Sequence, residues 1–254
     1  MVKPYDRTTP LLFLFFSFFG LSLLANAILV PLAGYWLYMR GGLKYFQFAA
    51  LKGNSPQSGI SNRRELYHAF SSNHRVTRPV VMFGDSLTAN GLWSEWYGAE
   101  VLNRGIHGET TKDALTRVPD IAALNPAKVF ILFGVNDFGV LPGDVTVANM
   151  RQIVSTLRTK SPTSEIYIQS IFPPPSIDRE SWTSFVNGGY RQLAEEYHLH
   201  WIDLSPAFAM GPVINRQLTV DGVHLSPEGY DVWRHWIGPH VSSQTAEMQE
   251  QLVH

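Results

Sequence analysis

The sequence predicts an α/β fold, a three-layer, doubly wound parallel five-stranded sheet within residues 79–254. Three observations carry this. Apolar runs suited to buried parallel strands recur at 79–83, 100–103, 128–133, 166–171 and 200–204. Stretches of helical periodicity fall between them. The joints are short, so strand and helix alternate along the chain.

Taken in order, the chain begins with an apolar segment. Residues 8–39 hold no charged side chain, and residues 11–30 form an almost unbroken apolar run of 20 residues. Twenty helical residues span about 30 Å, the thickness of a bilayer's hydrocarbon core. Tyr35, Trp36 and Tyr38 precede Arg40 as an aromatic belt at a membrane surface would. Residues 1–40 are therefore expected to be an uncleaved single-pass membrane anchor. Basic residues flank both ends, so the side of the membrane carrying the main domain stays open. A cleaved signal peptide is the competing reading, with Lys3 and Arg7 in front and Ala25-Asn-Ala27 as the cleavage site; against it, the chain remains apolar beyond Ala27.

Residues 41–78 read as a linker, with turn-forming Gly41-Gly42 and the Gly-, Pro- and Ser-rich stretch 53–59. Inside it, 61–70 predicts a short helix that leans on the main domain through Leu66 and Phe70. In the main domain, 111–124 opens on a hydroxyl and places apolar residues at 114, 115, 118, 121 and 122. Residues 146–160, 182–197 and a stretch from Pro227 complete the helices. Two longer loops, 172–177 with three prolines and 205–223, both follow strands. They should wall the carboxyl edge of the sheet, where open α/β sheets bind ligands.

The charge is uneven. Residues 1–78 carry nine Lys and Arg against Asp6 and Glu65, a balance of +7, whereas residues 79–254 carry eleven against nineteen acids, a balance of −8. The basic segment suits anionic head groups or serves only as a solvated linker, and the acidic main domain argues against nucleic acid as a partner. The sequence contains no cysteine, which excludes disulfides and a thiol nucleophile.

Four polar clusters fall at strand ends or just before the last helix: Gly84-Asp85-Ser86-Leu87-Thr88, residues 103–111 with Gly105, His107 and Gly108, Gly134-Val-Asn136-Asp137, and residues 221–230 with Asp221 and His224. Acyl transfer needs a nucleophile, a base, a group that fixes the base's tautomer, and donors for the oxyanion. Ser86, His224 and Asp221 fill the first three roles. The backbone N–H groups of Ser86 and Gly108 and the side-chain amide of Asn136 supply the fourth. Each residue also has a plain structural reading: Asp85 or Ser86 as a helix cap, Gly105 and Gly108 as turn residues, Asn136 in an Asx turn, Asp221 capping the turn that holds His224. Jointly the four clusters favour the catalytic reading. His198 and His200, and His235 and His240, lack partner ligands and read as surface residues, so neither a metal nor a cofactor is expected.

The order Gly-Asp-Ser-Leu, Ile-His-Gly108-Glu-Thr, Gly-Val-Asn136-Asp and Asp221-Gly-Val-His224 resembles the SGNH (GDSL) hydrolases. Within them it most resembles the branch that includes platelet-activating-factor acetylhydrolase catalytic subunits and bacterial lysophospholipase-like acylesterases. The resemblance spans about 79–240. It implies a flavodoxin-like sheet of order 2-1-3-4-5, a catalytic set of Ser86, Asp221 and His224, and an oxyanion hole of Ser86, Gly108 and Asn136. The expected activity is a serine esterase acting on acyl or acetyl esters of a lipid or glycan. The alternative is a membrane-anchored binding module of the same fold without turnover.

Overall fold

The computed structural model describes residues 26–27, 29–31, 63–69 and 76–242. The chain divides into two compact units, Met1–Ser58 and Gly59–His254. In the first, residues 26–27 and 29–31 are helical. The predicted anchor therefore lies almost wholly outside the described residues, among which no helix is long and apolar enough to cross a membrane.

In the second unit a short helix α1 (63–69) precedes the sheet. Then come β1 (Val80–Gly84), α2 (Ser86–Ala89), α3 (Trp93–Tyr97), β2 (Val101–Gly105), α4 (Thr111–Ala123), β3 (Lys128–Leu132), α5 (Gly143–Lys160), β4 (Glu165–Gln169), α6 (Glu180–Glu196) and β5 (His200–Ile202). A short turn of helix α7 (Ser205–Phe208), the hairpin β6 (Ala209–Met210) and β7 (Val213–Ile214), and α8 (Pro227–Val241) close the domain.

The strands pair in the order β2-β1-β3-β4-β5, all parallel, as the resemblance implies. β1 sits between β2 and β3, with Gly84 level with Gly105 on one side and Leu132 on the other. Its five residues are all buried, and alternate side chains enter different cores. Val81 and Phe83 pack with Val118 of α4, Ile153 of α5 and Leu193 of α6. Val80 and Met82 pack with Leu87, Trp93 and Trp233 on the other face. A strand covered on both faces must be apolar throughout, which is why it reads as a run rather than an alternation. Each such side chain contributes about 1.5–3 kcal/mol on burial.

Local signals set the helix starts. Thr110 accepts from the backbone N–H of Asp113, whose carboxylate bonds back to the N–H of Thr110, a complete capping box for α4. Ser226 caps α8 by accepting from the N–H of Gly229, and Pro227 occupies the first turn.

The linker helix forms, but it docks differently from the expectation. Leu66 is 65 % exposed, and Phe70 lies outside the described residues. α1 instead meets the domain through Arg64, Tyr67 and His68, whose partners are Glu109 and Asp113, the carbonyl of Gly105, and Asp120. Spacings of three and four residues put 64, 67 and 68 on one face, and the surface beneath them is acidic rather than apolar.

Candidate active site

The site begins where β1 ends. A Cβ on Gly84 would lie 2.7 Å from the Leu132 carbonyl oxygen, closer than real Cβ contacts come, so glycine lets the neighbouring strand and the following turn close in. Asp85 is the N-cap of α2, with Oδ1 accepting from the N–H of Leu87 at 3.0 Å. Its other oxygen has no hydrogen-bond partner among the described residues. Burial, with the nearby carboxylates of Asp137 and Glu109 adding to it, pushes this carboxyl up to about 7 despite the Leu87 bond. Ser86 follows, 5 % exposed at the start of α2.

The segment before α8 brings the imidazole to this serine. His224 Nε2 lies 3.2 Å from Ser86 Oγ, across 138 residues of chain. On the far side of the ring, Nδ1 is 2.7 Å from Asp221 Oδ2. Asp221 Oδ1 also accepts from the backbone N–H groups of Val223 and His224, at 2.8 and 2.7 Å. The cap reading and the tautomer-fixing geometry therefore coexist in one side chain. Desolvation works against ionisation of Asp221, but the ring of His224 and these N–H groups outweigh it and hold the acid down to about 2. With an anion at Nδ1, that nitrogen carries the proton and Nε2 is left to accept from the serine. The loop is pinned at both ends: the N–H of Val220 donates to the His224 carbonyl at 2.9 Å, and Thr219 bridges Leu225.

Gly108 and Asn136 meet each other through Glu109. The Asn136 amide donates to the Glu109 carbonyl at 2.9 Å, using one N–H and fixing the direction of the second. Gly108 has φ +74°, and a Cβ there would meet nothing within 4 Å, so its backbone faces open space. The N–H of Ile106 donates to the Gly84 carbonyl at 3.1 Å, tying this arm to the end of β1. His107 beside it is exposed, and partial burial, then the neighbouring Arg63 and His224, draw its pKa down.

A mostly apolar pocket lies beside the residues that flank the serine and the imidazole, with Leu87, Val135, Phe172, Pro174, Gly222 and Val223 among its walls. Both long loops contribute, as the sequence predicts. In the His198 and His200 pair, the His200 ring stacks on Tyr167 with centroids 4.3 Å apart.

Residues 82–232 match the GDSL-like lipase/acylhydrolase family, more than half of the chain. The chain belongs to that family. With it comes the reaction class, hydrolysis of carboxylic esters. The GDSL hydrolase is 29 % identical over 195 residues to a GDSL esterase/lipase of Arabidopsis thaliana, covering 60 % of this chain and 81 % of the plant protein. It is 24 % identical over 197 residues to an arylesterase of Vibrio mimicus, covering 70 % and 94 % of the two chains. The crystal structure of a GDSL-like lipase from Bacteroides thetaiotaomicron superposes with a TM-score of 0.64 at 21 % identity, covering 71 % of this chain and 98 % of that one.

Four supporting residues of this GDSL hydrolase are not legible in the sequence. Asp137, fully buried, accepts from the backbone N–H of Thr111 at 3.0 Å and from the hydroxyls of Thr111 and Thr146, locking the start of α4 to the loop that carries Asn136. Burial raises its pKa despite these donors. Glu109 and Arg117 form a buried ion pair behind Gly108. Tyr230 donates its hydroxyl to the carbonyl of Leu87 at 2.8 Å. The only local hint was position: all but Arg117 stand inside the four polar clusters.

Proposed function

We propose that this chain is a serine esterase working through an acyl-enzyme, with Ser86 as nucleophile, His224 as general base and acid, and Asp221 as the group that orients the imidazole. The observation that carries this is the continuous contact from Ser86 Oγ to His224 Nε2 and from His224 Nδ1 to Asp221. Ser86 Oγ attacks the ester carbonyl carbon while Nε2 takes the hydroxyl proton. The oxyanion that forms is met by the N–H groups of Ser86 and Gly108 and by the Asn136 amide. Collapse expels the alcohol, which leaves with the proton from His224. Water then attacks the acyl-enzyme, giving its proton to His224, and Ser86 recovers it as the carboxylic acid departs.

The apolar pocket beside Leu87 and Val223 supports an acyl group as the part of the substrate held there. A lipid or glycan ester supplies it in this reading. The apolar run 11–30 supports a single-pass anchor for residues 1–40, with 41–78 as linker and 79–254 as the hydrolase domain.

A fluorophosphonate probe followed by peptide mass mapping tests the reading, because only an activated serine reacts readily. Adduct at Ser86, loss of labelling and of p-nitrophenyl ester hydrolysis in Ser86→Ala, and a preference among acetate, butyrate and octanoate esters are expected. An unlabelled Ser86 in a chain that turns over no ester leaves a binding module of the same fold, and turnover that survives Ser86→Ala refutes Ser86 as the nucleophile.

A further inference from the structure

α1 precedes the residues that match the family, yet it supplies a cation to the oxyanion arm. Arg64 Nε donates to Glu109 Oε1 at 2.7 Å, and its Nη2 donates to Asp113 Oδ1 at 3.0 Å. Glu109 is 1 % exposed, and its second oxygen accepts from Arg117, which is also buried. A carboxylate this deep is stable only when paired and hydrogen-bonded. Here it is held between two guanidinium groups, one from α4 and one from α1. Arg117 reaches further, to the Arg104 carbonyl at 3.1 Å, so the inner half of the pair is fixed to the end of β2.

The position of Glu109 gives the outer half its meaning. Its N-terminal neighbour is Gly108, and its own carbonyl is the acceptor that aims Asn136. Tyr67 adds a second hold on the same arm, its hydroxyl donating to the Gly105 carbonyl at 3.4 Å with its ring 4.7 Å from the Arg104 guanidinium. His68 anchors α1 well along α4, with Nδ1 2.8 Å from Asp120.

We propose that Arg64 is a positioning residue for ester hydrolysis: by clamping the Glu109 side chain from the linker side, it holds the Gly108 N–H and the Asn136 amide in the geometry the oxyanion requires. The proposal rests on the serine esterase reading. Without Arg64, Glu109 keeps Arg117, so the domain folds, but the arm between β2 and α4 gains freedom. Small displacements of a preorganised donor reduce the chemical step more than substrate binding.

The test uses the full chain and p-nitrophenyl butyrate, with kcat and KM measured separately for the wild type, Arg64→Ala, Arg64→Lys, His68→Ala, Asn136→Ala and the Arg64→Ala, Asn136→Ala double variant. Arg64→Ala is expected to lower kcat roughly tenfold with KM within about twofold. Arg64→Lys should recover part of the loss, since an ammonium keeps the charge but not the forked geometry. His68→Ala should keep the wild-type kcat. In the Asn136→Ala background, removing Arg64 should cost less than about threefold, because the donor it aims is already gone.

Full activity in Arg64→Ala, an undiminished loss in the double variant, or an equal loss in His68→Ala overturns the positioning role. A wild-type chain that turns over no ester overturns the esterase reading itself, and the positioning role with it. If Arg64→Ala does not fold, Arg64→Lys carries the test, with a kcat loss of roughly threefold expected and unchanged kcat overturning the proposal.

Discussion

The hydroxyl of Tyr230 donates to the backbone carbonyl of Leu87 at 2.8 Å, joining the first turns of α8 to the residue that follows Ser86. His224 lies just before α8, so this bond links the element that follows the imidazole to the turn that carries the serine. Tyr230→Phe keeps the ring among Trp96 and Trp233 and removes this bond together with the hydroxyl's interaction with Asn90. It is expected to reduce kcat about three- to tenfold with little change in thermal stability. Steady-state kinetics beside a melting curve checks this, and wild-type kcat would show that the bond has no part in alignment.

In the serine esterase reading, Asn136→Ala removes one proposed oxyanion donor while leaving Ser86, His224 and Asp221 in contact. The expected loss in kcat is roughly 10²–10³. A rise in KM at constant kcat would assign Asn136 to substrate positioning instead.

Asp221→Asn replaces the acceptor at His224 Nδ1 with a group that admits the wrong tautomer. On the order of 10³–10⁴ in kcat should be lost. The turn retains an oxygen for the Val223 and His224 N–H groups, so far-ultraviolet circular dichroism should be unchanged. A loss of folding would mean the cap is the residue's main duty.

Asp85 makes stability pH-dependent in an uncommon direction. Burial, then its acidic neighbours, lift its carboxyl to about 7 in the folded chain, against about 3.9 unfolded. Below about pH 4 both states are protonated and the group has no effect. Between about pH 4 and 7 the unfolded chain releases a proton that the folded chain retains, so stability falls as pH rises, and the loss is complete above about pH 7. Asp85→Asn cannot titrate. Its melting temperature should therefore gain several degrees on the wild type between pH 5 and pH 8, and parallel melting curves would refute the shift.

Gly105→Ala places a methyl 2.2 Å from the backbone nitrogen of Ala89, where no side chain can yield. The end of β2 and the α2 turn must separate, at a cost of about 3 kcal/mol or more. Urea denaturation measures it, and a cost near zero would mean that the two segments do not pack as described.

Much of the fold was legible because its signals are local. The strand runs at 79–83 and 128–133 match β1 and β3 closely, since a strand buried on both faces has nowhere to put a polar residue. The ends drifted more: β4 and β5 stop at Gln169 and Ile202, short of their apolar runs, because the chain leaves the sheet to build the walls of the cavity. The hairpin β6–β7 has two residues per strand, too few for any periodicity to register. α1 was expected to dock by Leu66, whereas Arg64 wins. The surface it meets carries Glu109 and Asp113, and an apolar side chain there would strand a buried carboxylate with a single partner.

By itself the sequence determined the alternation of strand and helix, the parallel sheet, and the residue types at its carboxyl edge, because periodicity, caps and glycine punctuation act over a few residues. Only the tertiary structure decided the contacts that span the chain: Ser86 with His224 across 138 residues and Tyr230 with Leu87 across 143. It also decided the pairing of Arg64 with Glu109 and the raised pKa of Asp85. These depend on distance, burial and dielectric environment, which exist only once remote segments have packed together.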